Sequence, residues 1–349
     1  MSKTMKTAVM TGLRTIEFEQ REIPVPTASQ VLVKIEYVGI CGSDIHYYED
    51  GRIGDFVVTG PLVLGHEASG TIVEVGAGVR HLKVGDVVAL EPGIPCGICC
   101  NCRKGKYNLC PDVVFFATPP IDGVFCEYAA HPADFCFKLP ANIGPKEGAM
   151  IEPLAIGFHA ASAGSASVGQ TTVVFGAGAI GLVSLMALKV HGVSKVIVID
   201  SMEKRLSKAL ELGADNAINF AKSNPYDEII KLTEGQGADL AIETSGAEAA
   251  ANQAIAVCKS GGTIVMVGYS KTGMMNLNMS VAINKELRFE TIFRYRHLYP
   301  AAIAAAASGK VKLDNFISHI FSFDDLPNAM EQSSKDKENI TKAVVKIGK

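Results

Sequence analysis

The sequence predicts an α/β protein of two domains, one β-rich and one built on a doubly wound parallel sheet. Three observations predict it. Residues 1 to about 150 run in short β-branched segments broken by turn residues, as in VLVKIEYVGI, TIVEVGAGV and VGDVVALEPG. From about residue 155, strand-like and helical runs alternate through TTVVFGAGAIGLVSLMALKVHGVSKVIVID, SMEKRLSKALELG, DLAIETSG and GGTIVMVG. Such alternation gives parallel strands joined by right-handed crossovers, with helices on both faces. After about residue 290 the alternation stops; AAIAAAASGK reads as a helix and ITKAVVKIGK as a final strand. The boundaries drawn from these shifts are 1–154 with 291–349 for the β-rich domain and 155–290 for the sheet domain. The pattern alone leaves open whether the C-terminal segment returns to the first domain.

The bulk numbers agree with two cores. The chain has 349 residues, 48 % hydrophobic and 20 % charged, which is long for one core and has apolar material for two. A net charge of -3 offers no basic footprint for nucleic acid or anionic lipid. The start, MSKTMKTAVMTGLRTIEFEQ, has neither a long apolar run nor a small-residue cleavage site. No stretch approaches the roughly 20 apolar residues of a membrane span. The expectation is a cytoplasmic protein whose partners are small molecules, with no nucleic acid and no membrane. Nine cysteines in a reducing compartment do not suggest a disulfide framework, and five of them fall within 15 residues, four at metal spacing, which suggests metal.

In chain order, the first chemistry-bearing segments are Cys41-Gly42-Ser43-Asp44-Ile45-His46 and Gly65-His66-Glu67. Taken alone, a cysteine and a distant His-Glu pair have ordinary core or surface explanations. The next segment is more specific. Cys96-x2-Cys99-x2-Cys102-x7-Cys110 can bring four thiolates round one tetrahedral centre, and four thiolates close a structural zinc site. Cys100 adjoins Cys99 and competes with it, but the x2 spacing on both sides favours Cys99. Cys126, Cys136 and Cys258 lack partners of metal spacing and read as buried apolar fillers.

Gly176-Ala177-Gly178-Ala179-Ile180-Gly181 follows a β run and opens an apolar helix. In that context Gly176 allows the tight turn, Gly178 lets backbone approach a pyrophosphate, and Gly181 lets the helix pack close to the strand. The helix N-terminus offers unpaired N–H groups to the phosphates. Asp200 closes the next strand, 19 residues after Gly181. A carboxylate there accepts the ribose hydroxyls of NAD and repels the extra phosphate of NADP. Arg205, five residues on, is a candidate for packing against adenine or else part of a solvated helix face. Ile180, Val267 and Gly268 complete the set of candidate cofactor contacts.

VGICGSDIHYYEDGRIG, LGHEASGTIVEVGAGV, the cysteine lobe and FGAGAIG occur in the order found in zinc-containing medium-chain dehydrogenases, and the chain resembles that family over essentially its whole length. HYYEDGRIG, FFATPPIDG, MIEPLAIG and FRYRHLYP resemble its sorbitol and xylitol dehydrogenase branch. The resemblance implies a GroES-like catalytic domain, a Rossmann domain, NAD, one catalytic and one structural zinc, and a homotetramer. It implies Cys41, His66 and Glu67 as catalytic zinc ligands with a water in the open position. Glu152 stands where ethanol-type relatives supply a second cysteine. Zinc with one thiolate and one carboxylate is neutral, so a permanent bond to Glu152 as well would leave the cluster negative. On that count Glu152 is expected to hold the water or substrate hydroxyl, or to exchange with Glu67.

The implied chemistry is oxidation of a secondary alcohol to a ketone, hydride passing to the nicotinamide. Ser43 relays the proton through the cofactor ribose to His46 and solvent. A polyol needs several hydrogen-bonding side chains, and Tyr47, Thr118, Glu152, Arg294 and Tyr295 match the positions the resemblance implicates, with Phe115 as an apolar wall. For FRYRHLYP the competing reading is a surface turn or a subunit contact. Strands such as GGTIVMVG are expected to be able to pair across subunits. The alternatives are another zinc dehydrogenase, acting on butanediol, threonine or a polyol phosphate, and a catalytically silent NAD-binding relative. Retention of Cys41, His66, Glu67 and Glu152 together argues against the silent reading.

Overall fold

The computed structural model describes residues 3–348. The chain forms two compact units. The first takes the chain up to Glu152, then Tyr299–Ala307 and the residues from Leu313 on; the second takes Pro153–Leu298 with Ser308–Lys312. FRYRHLYP therefore falls almost entirely in the second unit, because strand Arg288–Thr291 carries the parallel sheet past residue 290.

The first unit is organised by strand Gln30–Gly39, whose Val31, Val33, Ile35 and Val38 are fully buried. One edge pairs antiparallel with Glu67–Val75. The other edge is shared: Tyr128–Pro132 takes Gln30 to Lys34, and Ala343–Lys346 takes Tyr37 to Gly39. The C-terminal strand thus returns to the first sheet, a point the hydropathy pattern could not decide. Beyond Glu67–Val75 the sheet continues through Val87–Leu90 to Cys136–Lys138, and His319–Ser322 runs parallel beside Ala343–Lys346.

A helix, Gly42–Asp50, interrupts a region whose sequence reads as strands and turns. Its start is set locally. Cys41 is the N-cap in extended conformation, and the side chain of Asp44, three residues on, accepts the Cys41 amide at 2.9 Å. Gly51, at φ 68°, ends it.

The second unit is a six-stranded parallel sheet. Its order across the sheet is Asn216–Asn219, Lys195–Asp200, Thr171–Phe175, Ala238–Glu243, Cys258–Met266, Arg288–Thr291. In chain order this is 3-2-1-4-5-6, so the connection reverses between Thr171–Phe175 and Ala238–Glu243, where such sheets open a ligand crevice. Val173, Val174, Val196, Ile197 and Val198 are fully buried, as strands covered on both faces require. GGTIVMVG lies mostly within Cys258–Met266, which is hydrogen-bonded on both sides. The expectation that it pairs across subunits is corrected: its backbone groups are already used, and the sheet's edges belong to Asn216–Asn219 and Arg288–Thr291. Among the described residues, no helix is long and apolar enough to cross a membrane.

Candidate active site and metal centres

Among the described residues, two groups of side chains able to hold a metal form, both in the first unit. Cys96, Cys99, Cys102 and Cys110 each offer a sulfur, all within 4.8 Å of one another. The Sγ atoms of Cys99 and Cys102 are 3.4 Å apart, and the amides of Cys96, Cys99 and Cys102 point at neighbouring sulfurs at 3.4 to 3.5 Å. The Ile98 and Cys99 amides pull the Cys96 thiol down to about 7, while burial pushes Cys102 up to about 12 and raises Cys110 as well. Cys100 is exposed and outside the group. Cys126, Cys136 and Cys258 are buried, and burial pushes all three thiols up, Cys126 and Cys258 to about 12.

The second group is Cys41, His66 and Glu67, again within 4.8 Å. Thiolate, imidazole and carboxylate with one position left open is the donor set of a catalytic zinc, whereas four thiolates suit a closed structural one. Glu67 opens strand Glu67–Val75 opposite Gly39, and a Cβ on Gly39 would stand 1.9 Å from the Glu67 Oε2. Only glycine leaves room for that carboxylate to lie back over the sheet. Glu152, 5 % exposed on helix Ile151–Ala163, is not one of the three, although its charge acts on nearby Glu91 and Lys342.

Two residues to which the sequence pattern assigns no role complete this centre. Asp44 is fully buried. One oxygen accepts the Cys41 amide, and the other accepts the Gly65 amide at 2.9 Å and lies 3.6 Å from His66 Nδ1. It ties the two ligand-bearing turns together and aims the imidazole. Burial penalises its charge, but His66 and these amides outweigh that and hold its pKa below the usual carboxylate range. Burial likewise opposes a charged His66, yet Asp44 and Cys41 raise its pKa well above the ordinary value. Lys342 is the other; its ammonium pairs with both Glu67 oxygens, at 2.6 Å to Oε1. The sequence held a signal for Asp44, at the third helical position after a capping residue. It held none for Lys342, 275 positions from Glu67.

On helix Gly42–Asp50, Ser43 is half-buried and His46 exposed, three positions apart and so on one face. His46 Nδ1 lies 3.6 Å from Asp50. Tyr47 is buried on the same helix; Phe115 is buried with its ring 5.8 Å from that of His66, and Thr118 is half-buried. Arg294 and Tyr295 belong to the second unit. Arg294 has φ 53°, strained for a side chain of its size, and its carbonyl lies 2.7 Å from His159 Nδ1.

The glycine turn has the geometry its motif requires. Gly176 has φ 99°, and a Cβ on Gly181 would stand 1.8 Å from the Gly176 carbonyl oxygen. A Cβ on Gly178 would meet nothing nearer than Arg205, at 3.8 Å, so that side of the turn is open to a ligand. Helix Ala179–Val190 starts at Gly178 without a side-chain cap, leaving its first amides for one. Ile180 lies in its first turn. Asp200 accepts the Ala177 amide at 2.8 Å through one oxygen and the Ser201 and Met202 amides through the other. It therefore braces the turn in addition to any ribose contact. Val267 and Gly268 leave strand Cys258–Met266 with both amides directed to the Glu243 carbonyl.

The alcohol dehydrogenase GroES-like domain matches residues 27–141 and the zinc-binding dehydrogenase domain matches residues 179–308. Sorbitol dehydrogenase of Rattus norvegicus is 44 % identical, over 94 % of this chain and 92 % of its own. A probable D-xylulose reductase A of Aspergillus fumigatus is 42 % identical, over 97 % of each. The crystal structure of an Escherichia coli oxidoreductase/dehydrogenase of unknown specificity, involved in membrane biogenesis, superposes with a TM-score of 0.95 at 41 % identity, covering 99 % of this chain and 100 % of that one. By sequence, fold and site, the chain belongs to the zinc-containing medium-chain alcohol dehydrogenases, within their sorbitol and xylitol dehydrogenase branch.

Proposed function

We propose that the protein oxidises a secondary hydroxyl of a sorbitol- or xylitol-type polyol to the ketose, with NAD, one catalytic zinc and one structural zinc. The observation that carries the reading is the convergence of Cys41, His66 and Glu67 in a centre braced by Asp44. The names of the relatives support the polyol class. When bound, zinc makes the substrate hydroxyl acidic and NAD accepts the hydride. The protein's own groups do the rest. Cys41, His66 and Glu67 hold the metal and leave a position open. Glu152 accepts a hydrogen bond from the water that fills the open position before the substrate does. Ser43 takes the proton and His46, exposed on the same helical face, passes it to solvent. Tyr47 and Thr118 bind the remaining hydroxyls, and Phe115 supplies an apolar wall; Arg294 and Tyr295 are further candidates for polyol binding. Gly176, Gly178 and Gly181 admit the pyrophosphate, with Ile180, Val267 and Gly268 as further cofactor contacts; Asp200 takes the ribose and Arg205 covers the adenine. A homotetramer in the cytoplasm remains the expected setting.

The test is initial-rate reduction of NAD and of NADP on a polyol panel, before and after chelation. Turnover of sorbitol or xylitol with NAD alone, lost with the metal, fits the reading. Turnover confined to butanediol, threonine or a phosphorylated polyol keeps the zinc chemistry and rejects the substrate assignment.

A further inference from the structure

Lys342 is 2 % exposed, and burying an ammonium costs several kcal/mol unless anions meet it. Its Nζ donates to the Ile40 carbonyl at 3.1 Å and to Glu67 Oε1 at 2.6 Å, and it also pairs with Oε2. The backbone beneath it is clamped. Ser318 Oγ donates to the Lys342 carbonyl at 2.8 Å and accepts its amide at 3.1 Å, and the next residue begins the strand paired with Gln30–Gly39. Glu67 is thus held between a fixed ammonium on one side and the bare Cα of Gly39 on the other. The charges of Cys41 and Glu152 also act on Lys342.

This changes the charge count at the centre. A divalent cation facing one thiolate and two carboxylates is left with a surplus negative charge, which would oppose ionisation of a bound alcohol. One fixed ammonium cancels it. We propose that Lys342 is a positioning residue of the metal centre, pinning the Glu67 carboxylate and supplying the charge that lets Cys41, Glu67 and Glu152 surround one divalent cation without surplus. Glu152 need not then be kept away from the metal on electrostatic grounds. The proposal rests on the reading of Cys41, His66 and Glu67 as a metal site.

The test uses cobalt(II) in the catalytic site of the full chain, reading its visible spectrum and its release to a chelator. Wild type is compared with Lys342→Arg, Lys342→Met, Glu67→Gln and the Glu67→Gln/Lys342→Met double variant. Glu67→Gln leaves the ammonium unmatched beside the metal and should release cobalt at least about tenfold faster. Removing Lys342 as well takes that repulsion away, so the double variant should recover much of the loss. Lys342→Met should shift the cobalt bands and Lys342→Arg should restore them. If the double variant releases metal as fast as Glu67→Gln or faster, Lys342 does not balance the centre and the proposal falls. That comparison decides the matter even if Lys342→Met alone does not fold. A wild-type spectrum in Lys342→Met also overturns it. Cys41→Ser separates the failures: it must abolish the spectrum, and if it does not, the metal-site reading itself is wrong.

Discussion

Asp44 Oδ1 lies 3.6 Å from His66 Nδ1, and the same carboxylate holds the amides of Cys41 and Gly65. One buried side chain therefore sets the entry of a helix, the turn before a strand and the orientation of an imidazole. Asp44→Asn keeps the shape and removes the charge. It is expected to weaken metal retention at Cys41, His66 and Glu67 by about 10- to 100-fold. Metal content per chain after dialysis against a chelator checks this. The four-cysteine site should stay loaded; equal loss from both sites would mean general unfolding.

Glu91 and His131 should give the stability curve opposing slopes. Burial raises the Glu91 carboxyl to about 7, with Tyr107 donating to it at 2.6 Å. The folded state thus binds its proton more tightly than the unfolded one, and stability falls as pH rises from about 4.5 to 7. Burial lowers His131 to about 4, so the unfolded state binds more protons and stability falls as pH drops from about 6.5 towards 4. Glu91→Gln keeps an acceptor for Tyr107 and removes the first slope. Measured by denaturant unfolding, the variant should gain up to about 3 kcal/mol at pH 8 relative to pH 5, since each tenfold change in proton affinity is worth about 1.4 kcal/mol. A difference that does not change between these two pH values would contradict the burial argument.

Asp200 braces the glycine turn and, in the proposed function, also takes the cofactor ribose. Asp200→Ser should raise KM for NAD by about tenfold or more, a loss near 1.4 kcal/mol, and narrow the preference over NADP. Steady-state kinetics with both cofactors tests it. An unchanged ratio would leave Asp200 as a brace for the Ala177, Ser201 and Met202 amides only.

Arg294 is held in the left-handed region at φ 53°. Strain of this kind, costing about 1 to 3 kcal/mol, persists where surrounding structure enforces it, here with His159 at its carbonyl. Arg294→Ala should raise KM for polyols strongly while metal content stays at the wild-type level. Unchanged polyol kinetics would remove Arg294 from the substrate site.

What was legible in the sequence was what short stretches of chain decide. The glycine turn, Asp200 and the strand–helix alternation lie within one crossover, and the four cysteines within one lobe. The parallel sheet follows from that alternation, whereas its order 3-2-1-4-5-6 does not, since other doubly wound orders share the same alternation. The helix Gly42–Asp50 was hidden because its apolar content is small and its start depends on one buried aspartate. GGTIVMVG reads as a strand, but nothing local says which strands flank it. Lys342 looks like any surface lysine near the chain's end; only the pairing of Val344 with Gly39 carries it to Glu67. Charge counting at the metal could include only residues already grouped by motif, and so it left Lys342 out.

That pairing also imposes an order of assembly during synthesis. The sheet beneath Glu67 lacks a strand until residues 343–346 leave the ribosome, after the whole of Pro153–Leu298 has been made. Chains usually fold domain by domain from the N-terminus, but here the parallel-sheet unit can mature first, while the N-terminal unit waits for its last strand. Until then Glu67 lacks its buried counter-ion, whereas the four cysteines of residues 96–110 can come together without that strand.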